Sequence, residues 1–87
     1  MKVGEYIRTL IAQLKEERGI DATFMEKRLV GVGYKYTLGV WSDETGANRI
    51  YTNFVLSDET FVMATDEQIE SAIKKKFDEL VEEFVSS

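Results

Sequence analysis

The chain has 87 residues, of which 44% are hydrophobic and 11% aromatic, and these proportions predict one small globular domain spanning residues 1–87. It contains no cysteine and no histidine, which excludes disulfide bonds, thiolate nucleophiles and the commonest general base and transition-metal ligand. Sixteen acidic and eleven basic side chains give a net charge of −5, which opposes nucleic acid and anionic membranes and favours basic protein surfaces.

The first predicted element is an amphipathic helix that ends near Arg18, because Gly19 follows and a left-handed glycine commonly ends a helix. Arg8, Thr9 and Gln13 interrupt its apolar run, so we expect neither a signal peptide nor a membrane span, and we predict a cytoplasmic protein. The apolar residues of the helix recur at helical spacing and are Val3, Tyr6, Ile7, Leu10, Ile11 and Leu14.

Residues 21–30 are ambiguous. Asp21 could cap a short helix carrying Phe24, Met25 and Leu29, or the chain could already be extended. We favour the extended conformation.

Two β-strands are predicted next, because apolar and polar side chains alternate. In residues 32–41 one face consists of Val32, Tyr34, Tyr36, Leu38 and Val40, and the other of Gly33, Lys35, Thr37, Gly39 and Trp41. In residues 49–56 one face consists of Ile50, Thr52, Phe54 and Leu56, and the other of Arg49, Tyr51, Asn53 and Val55.

The tetrad SDET occurs twice, at Ser42–Thr45 and at Ser57–Thr60. Ser and Asp side chains bond to nearby backbone and favour turns, so we interpret both copies as turns between strands. The β-rich residues 60–65 after the second copy then predict a third strand.

The last predicted element is a long helix that begins at Thr65, because Thr65 and Gln68 have the spacing of a capping box. Apolar residues keep the helical period from Ile69 to Phe84. The predicted fold class is α+β, in the order α-β-β-β-α, with a three-stranded antiparallel meander and two helices packed on one face.

The element order and the length resemble the double-stranded-RNA-binding domain. In that family, lysines at the start of the last helix contact phosphates. The corresponding residues here are DEQIE, and Lys74 lies two turns later. The resemblance implies nucleic-acid binding through Lys27, Arg28, Lys35 and Lys74–Lys76, but the departure removes the contact that matters most.

The sheet face away from the helices is the first candidate site, because it mixes aromatic and polar side chains as protein interfaces do. The alternative is that Trp41 and Tyr51 cover the sheet edge or a loop. The candidate partner-binding residues on this face are Lys35, Trp41, Tyr51, Asn53 and Val55.

Carboxylates near the end of the last helix are the second candidate site. Glu79, Glu82 and Glu83 oppose the helix dipole, a cost that a basic protein partner would explain. Weak selection on a frayed terminus is the alternative. We expect the last helix to carry these carboxylates toward Asp58 and Glu59, and we expect Asp66 and Glu67 to lie near Asp43 and Glu44.

These observations predict a non-catalytic interaction module, with no catalytic residue, cofactor or metal site, that acts by occupying the surface of a protein partner. In size and acidity the chain is similar to accessory proteins and inhibitors of phages and mobile elements. The first alternative is a structural subunit of a virion or an oligomeric scaffold, in which a homo-oligomer forms through the same face. The second alternative is the nucleic-acid binder described above, although we expect neither a nucleic acid nor a membrane as partner.

Overall fold

The fold is known from a computed structural model, which describes residues 2–42 and 48–86. Helices flank three strands in the order α-β-β-β-α, with one further short helix after the third strand. The elements are α1 (Val3–Arg18), β1 (Asp21–Leu29), β2 (Gly33–Trp41), β3 (Ile50–Ser57), α2 (Asp58–Met63) and α3 (Asp66–Ser86).

Helix α1 ends where the sequence predicts. Gly19 has a φ of 68° and donates its backbone N–H to the Lys15 carbonyl oxygen, which is the left-handed cap that a glycine forms readily. The chain then enters β1 directly, so the extended conformation expected for residues 21–30 is confirmed.

The sheet is antiparallel, with β2 between β1 and β3. Strands β1 and β2 are joined by a tight turn in which Val32 donates its N–H to the Leu29 carbonyl oxygen and Gly31 has a φ of 77°. At Gly33 the β3 backbone comes so close that a Cβ atom would collide with the Leu56 carbonyl oxygen. Gly31 therefore serves the turn, and Gly33 allows the close backbone approach.

Both long helices pack on one face of the sheet, which confirms the predicted fold class. Helix α1 contacts β1, while α3 contacts β2 and β3, and the two helices also contact each other. The buried core consists of Val3, Ile7, Leu10, Leu14, Ile20, Tyr36, Leu38, Val40, Leu56, Ile69, Ile73, Phe77, Leu80 and Val81. We refer to the covered side as the helix-bearing face and to the other side as the open face.

The prediction of a third strand at residues 60–65 is wrong, because helix α2 occupies most of this segment. The backbone N–H of Thr60 donates to the Ser57 hydroxyl oxygen over 3.1 Å, so the second SDET tetrad caps a helix N-terminus instead of turning a hairpin. Asp58 and Glu59 occupy the first turn, where the helix dipole favours negative charge. The third strand is instead β1, and Asp43–Thr45 of the first tetrad lie outside the described residues.

Helix α3 begins with the predicted capping box. The N–H of Gln68 donates to Thr65 Oγ1 over 3.1 Å, and the N–H of Thr65 donates to Gln68 Oε1 over 2.9 Å. These reciprocal bonds satisfy two backbone donors and fix where the helix starts.

Truncation of the shared core tests this arrangement. Leu14→Ala or Phe77→Ala should lower the free energy of unfolding by about 2–5 kcal/mol, because each removes a large part of a buried core side chain. Val62→Ala is the control, since Val62 is 81% exposed. Chemical denaturation followed by circular dichroism measures the difference, and an unchanged midpoint for both core variants would contradict the packing.

Candidate functional site

The open face is the side of the sheet that no helix covers among the described residues. Because side chains alternate along each strand, the residues between the buried Tyr36, Leu38 and Val40 point to this face. The face comprises Thr23, Met25 and Lys27 of β1, Lys35, Thr37, Gly39 and Trp41 of β2, and Tyr51, Asn53 and Val55 of β3. All five candidate residues predicted on this face therefore lie together.

Tyr51 rests over Gly39, its cross-strand neighbour at the centre of the sheet. A Cβ atom at Gly39 would lie 2.6 Å from Tyr51 Cε1 and 2.8 Å from Cδ1, so the absence of a side chain at Gly39 makes room for the ring. The tyrosine is nevertheless 53% exposed. The ring therefore has one side against the sheet and presents a large aromatic surface to solvent.

Trp41 and Arg49 extend this aromatic surface to one end of the sheet. The Arg49 guanidinium carbon lies 4.0 Å from the centre of the Trp41 ring, a cation–π contact, and Arg49 Nη1 donates to the Tyr51 hydroxyl over 3.3 Å. These contacts restrict the conformations of all three side chains. The alternative expectation, that Trp41 and Tyr51 cover only an edge or a loop, does not account for the placement of Tyr51 over the central strand.

The centre of the open face is polar. The Thr37 hydroxyl donates to Asn53 Oδ1 over 2.6 Å, between directly opposed residues of β2 and β3. Met25 of β1 lies opposite Thr37 and is 72% exposed, while Val55 is 49% exposed. Apolar side chains therefore border a hydrogen-bonded centre, the mixture typical of protein interfaces.

The far end of the open face is cationic. Lys27 and Lys35 are directly opposed on β1 and β2, an arrangement that like-charge repulsion makes unfavourable. Neither lysine forms an ion pair with a described residue, although four such pairs occur elsewhere in the described chain. With Arg49 at the opposite end, this face carries three cations in a protein of net charge −5.

Negative charge is nearly absent from the described part of the open face. By register Asp21 shares it, but Asp21 Oδ1 lies 3.1 Å from Lys15 Nζ and is neutralised by that contact. Within residues 2–42 and 48–86 the net charge of this face is therefore positive, and the complement of such a surface is acidic.

The carboxylates Glu79, Glu82 and Glu83 lie on the exposed side of α3, away from the open face. They share one side of the helix, because residues three and four positions apart are neighbours. None forms an ion pair within the described chain, whereas the nearby Asp78 is bound by Lys74 Nζ at 3.1 Å. The structure thus separates the two predicted groups of partner-binding residues onto opposite surfaces.

The expected position of these carboxylates beside Asp58 and Glu59 is wrong. Helix α2 lies immediately before α3, so Asp58 and Glu59 are close to the N-terminus of α3. Glu83 is seventeen residues beyond Asp66, about 25 Å along the helix. The expected approach of Asp66 and Glu67 to Asp43 and Glu44 concerns residues outside the described ranges.

A separate cleft of about 460 Å³ opens on the helix-bearing face, between the start of α1, the strands and α2. Tyr36 and Glu26 both line this cleft, and the Tyr36 hydroxyl donates to Glu26 Oε2 over 2.7 Å. Burial, and then this hydrogen bond, raise the pKa of Tyr36 well above the usual tyrosine value. Tyr36 is therefore a neutral, satisfied core residue.

The basic residues that the RNA-binding resemblance implies are dispersed. Lys27 and Lys35 lie on the open face, while Arg28 lies on the helix-bearing face and donates to both Asp58 carboxylate oxygens, at 2.6 and 3.1 Å. Lys74 is paired on the exposed side of α3. This arrangement does not provide one phosphate-binding surface.

Sequence reasoning missed Met25 and Lys27 as members of the open face. The ambiguity of residues 21–30 concealed them, although they alternate with Phe24 and Glu26 as strand residues do. It also missed the opposition of Lys27 and Lys35, which depends on strand register.

Comparison of the chain with protein-family models, curated proteins and solved structures found no match. Within residues 2–42 and 48–86, no cluster of three or more acidic side chains is arranged to hold a metal ion. No helix in these ranges has both the length and the apolar character needed to cross a membrane.

The placement of the basic residues predicts no measurable affinity for duplex DNA or RNA at about 0.15 M salt. Among the described residues three cations, Lys27, Lys35 and Arg49, share the open face, and the net charge of −5 opposes approach. An electrophoretic mobility shift with a duplex of each kind measures this. Sub-micromolar binding to either duplex would contradict the prediction.

Proposed function

We propose that the protein is a non-catalytic interaction module that binds a protein partner through the open face. The observation that carries the proposal is the uncovered surface of Tyr51, held over Gly39 and joined to Trp41 through Arg49. Tyrosine, tryptophan and arginine are the residues in which interface binding energy concentrates. An accessory protein or inhibitor of a phage or mobile element is one form that such a module takes.

The open face supports protein recognition better than the stacking of nucleotide bases. The Arg49 guanidinium already covers one side of the Trp41 ring, which leaves Tyr51 as the exposed aromatic platform. Met25 and Val55 add exposed aliphatic surface beside it, and such side chains pack against other side chains.

The rigidity of the open face also favours binding. Its residues stand on three paired strands, and hydrogen bonds or ring contacts hold Thr37, Asn53, Trp41 and Tyr51 in place before a partner arrives. Preordered side chains lose less conformational entropy on binding.

A paired-variant capture experiment tests the proposal. Immobilised protein is incubated with lysate of the native host, and retained proteins are identified by mass spectrometry. The double variant Tyr51→Glu and Val55→Glu should lose the specifically retained protein, because two carboxylates replace exposed contact surface on either side of the central Thr37–Asn53 pair.

The matched control is Val62→Glu together with Met63→Glu, which adds the same two charges at exposed positions of α2, 81% and 77% exposed in the native chain. The control should retain the partner. Circular dichroism verifies that both double variants are folded. Equal retention by the open-face variant and the native protein would contradict the proposed function.

A further inference from the structure

We infer that the open face also binds a second copy of this chain, through the carboxylates Glu79, Glu82 and Glu83 of that copy. This inference rests on the proposed function, because it requires the open face to recognise protein. It assigns a partner to two groups of charged side chains that form no ion pair within the described chain.

Charge is the first argument. Lys27 and Lys35 repel each other across adjacent strands and have no acidic partner in the described chain. Glu79, Glu82 and Glu83 also lack a cationic partner there, and the last turn of α3 contains no basic residue to complement the helix dipole. Contact between two copies relieves both unfavourable arrangements.

The spacing of the charges is the second argument. Side chains at opposed positions on neighbouring antiparallel strands begin about 5 Å apart, which applies to Lys27 and Lys35. Residues four apart on a helix, such as Glu79 and Glu83, are separated by about 6 Å along the axis. Two carboxylates of α3 can therefore meet the two ammonium groups at once.

Shape is the third argument. A helix laid on a bare sheet face is a standard packing layer, and the core of this protein already uses it on the helix-bearing face. The contact completes a helix–sheet–helix sandwich between copies.

The geometry requires head-to-tail association. The carboxylates lie on the side of the molecule opposite the open face, so one copy cannot bridge its own two surfaces. A symmetric dimer that joins two open faces would instead bring together two positive surfaces. Head-to-tail contacts leave one free surface of each kind at the ends of an assembly and can continue.

The open face is small, and its area limits the expected affinity of the association between copies. From Lys35 to Trp41 it extends about 20 Å along β2, and its three strands span about 10 Å. An interface of this size is at the low end for proteins, so we expect weak association that salt disrupts.

Sedimentation velocity with two neutralised variants tests the inference. Variant one is Lys27→Gln with Lys35→Gln, which removes the lysine charge from the open face. Variant two is Glu79→Gln with Glu82→Gln and Glu83→Gln, which removes the carboxylates of α3. Each variant keeps the other surface intact.

The native protein should show a sedimentation coefficient that rises with concentration up to about 1 mM at an ionic strength of about 0.01 M, and this rise should disappear at about 1 M salt. Each variant alone should associate at least about tenfold more weakly. An equimolar mixture of the two variants should form a 1:1 complex that does not grow, because only one complementary pair of surfaces remains.

Glu16→Gln, Glu59→Gln and Glu67→Gln form the matched control, since these substitutions remove the same charge from exposed positions elsewhere. The control should associate like the native protein. A native protein that stays monomeric under all these conditions would overturn the inference, as would association that survives in variant two. Binding of a ten-nucleotide single strand of thymidines to the open face of a monomeric native protein would also overturn it.

This experiment is separate from the test of the proposed function. If the variants fail to form a complex but Tyr51→Glu with Val55→Glu still abolishes partner capture, the interaction module stands and self-association is rejected. If capture does not depend on the open face, the proposed function is rejected whatever the sedimentation result.

Discussion

The burial of one face of strand β2 determines both the core of the protein and the surface that its sheet exposes. Leu38 and Val40 have no solvent exposure, and Tyr36 is 1% exposed, because α1 and α3 both pack on their side of the sheet. The alternation of a strand then places Lys35, Thr37, Gly39 and Trp41 on the other side. The same residues that form the core therefore determine which side chains the protein presents to solvent.

Specific contacts position the side chains of the open face. Gly39 lowers the centre of the sheet so that Tyr51 rests over it, and Arg49 ties Tyr51 to Trp41. Gly33 allows β3 to approach β2 closely at the opposite end. On the open face Lys27 and Lys35 form no ion pair with a described residue. On α3, which also carries Lys74–Lys76, the carboxylates Glu79, Glu82 and Glu83 form none either. The described part of the open face of this acidic protein is thus positively charged, which the net charge of the chain alone does not reveal.

The parts of the fold that could be predicted are those that depend on neighbouring residues in the sequence. The glycine cap of α1, the capping box of α3 and the alternation of β2 and β3 depend on residues close in sequence, and all were predictable. The fold class followed from these elements. Helix α2 was not predicted, because Phe61 and Val62 suit a strand and the capping role of Ser57 becomes clear only in the folded chain.

The features of the candidate site that could not be predicted from the sequence depend on the register between strands. Lys27 and Lys35 are separated by a turn, and only the pairing of β1 with β2 reveals that they oppose each other. The partial exposure of Tyr51 and its contact with Gly39 likewise arise between strands. Composition pointed toward a basic partner for the chain, whereas register identifies a basic surface on the chain itself.

Site-specific photocrosslinking in the native host tests whether the protein binds its partner through the open face. A benzophenone amino acid replaces Val55 on the open face or, as the matched exposed position, Val62 on α2. The open face as the binding surface predicts that irradiation produces a defined protein adduct from position 55 and none from position 62. An adduct from position 62 with none from position 55 would contradict it.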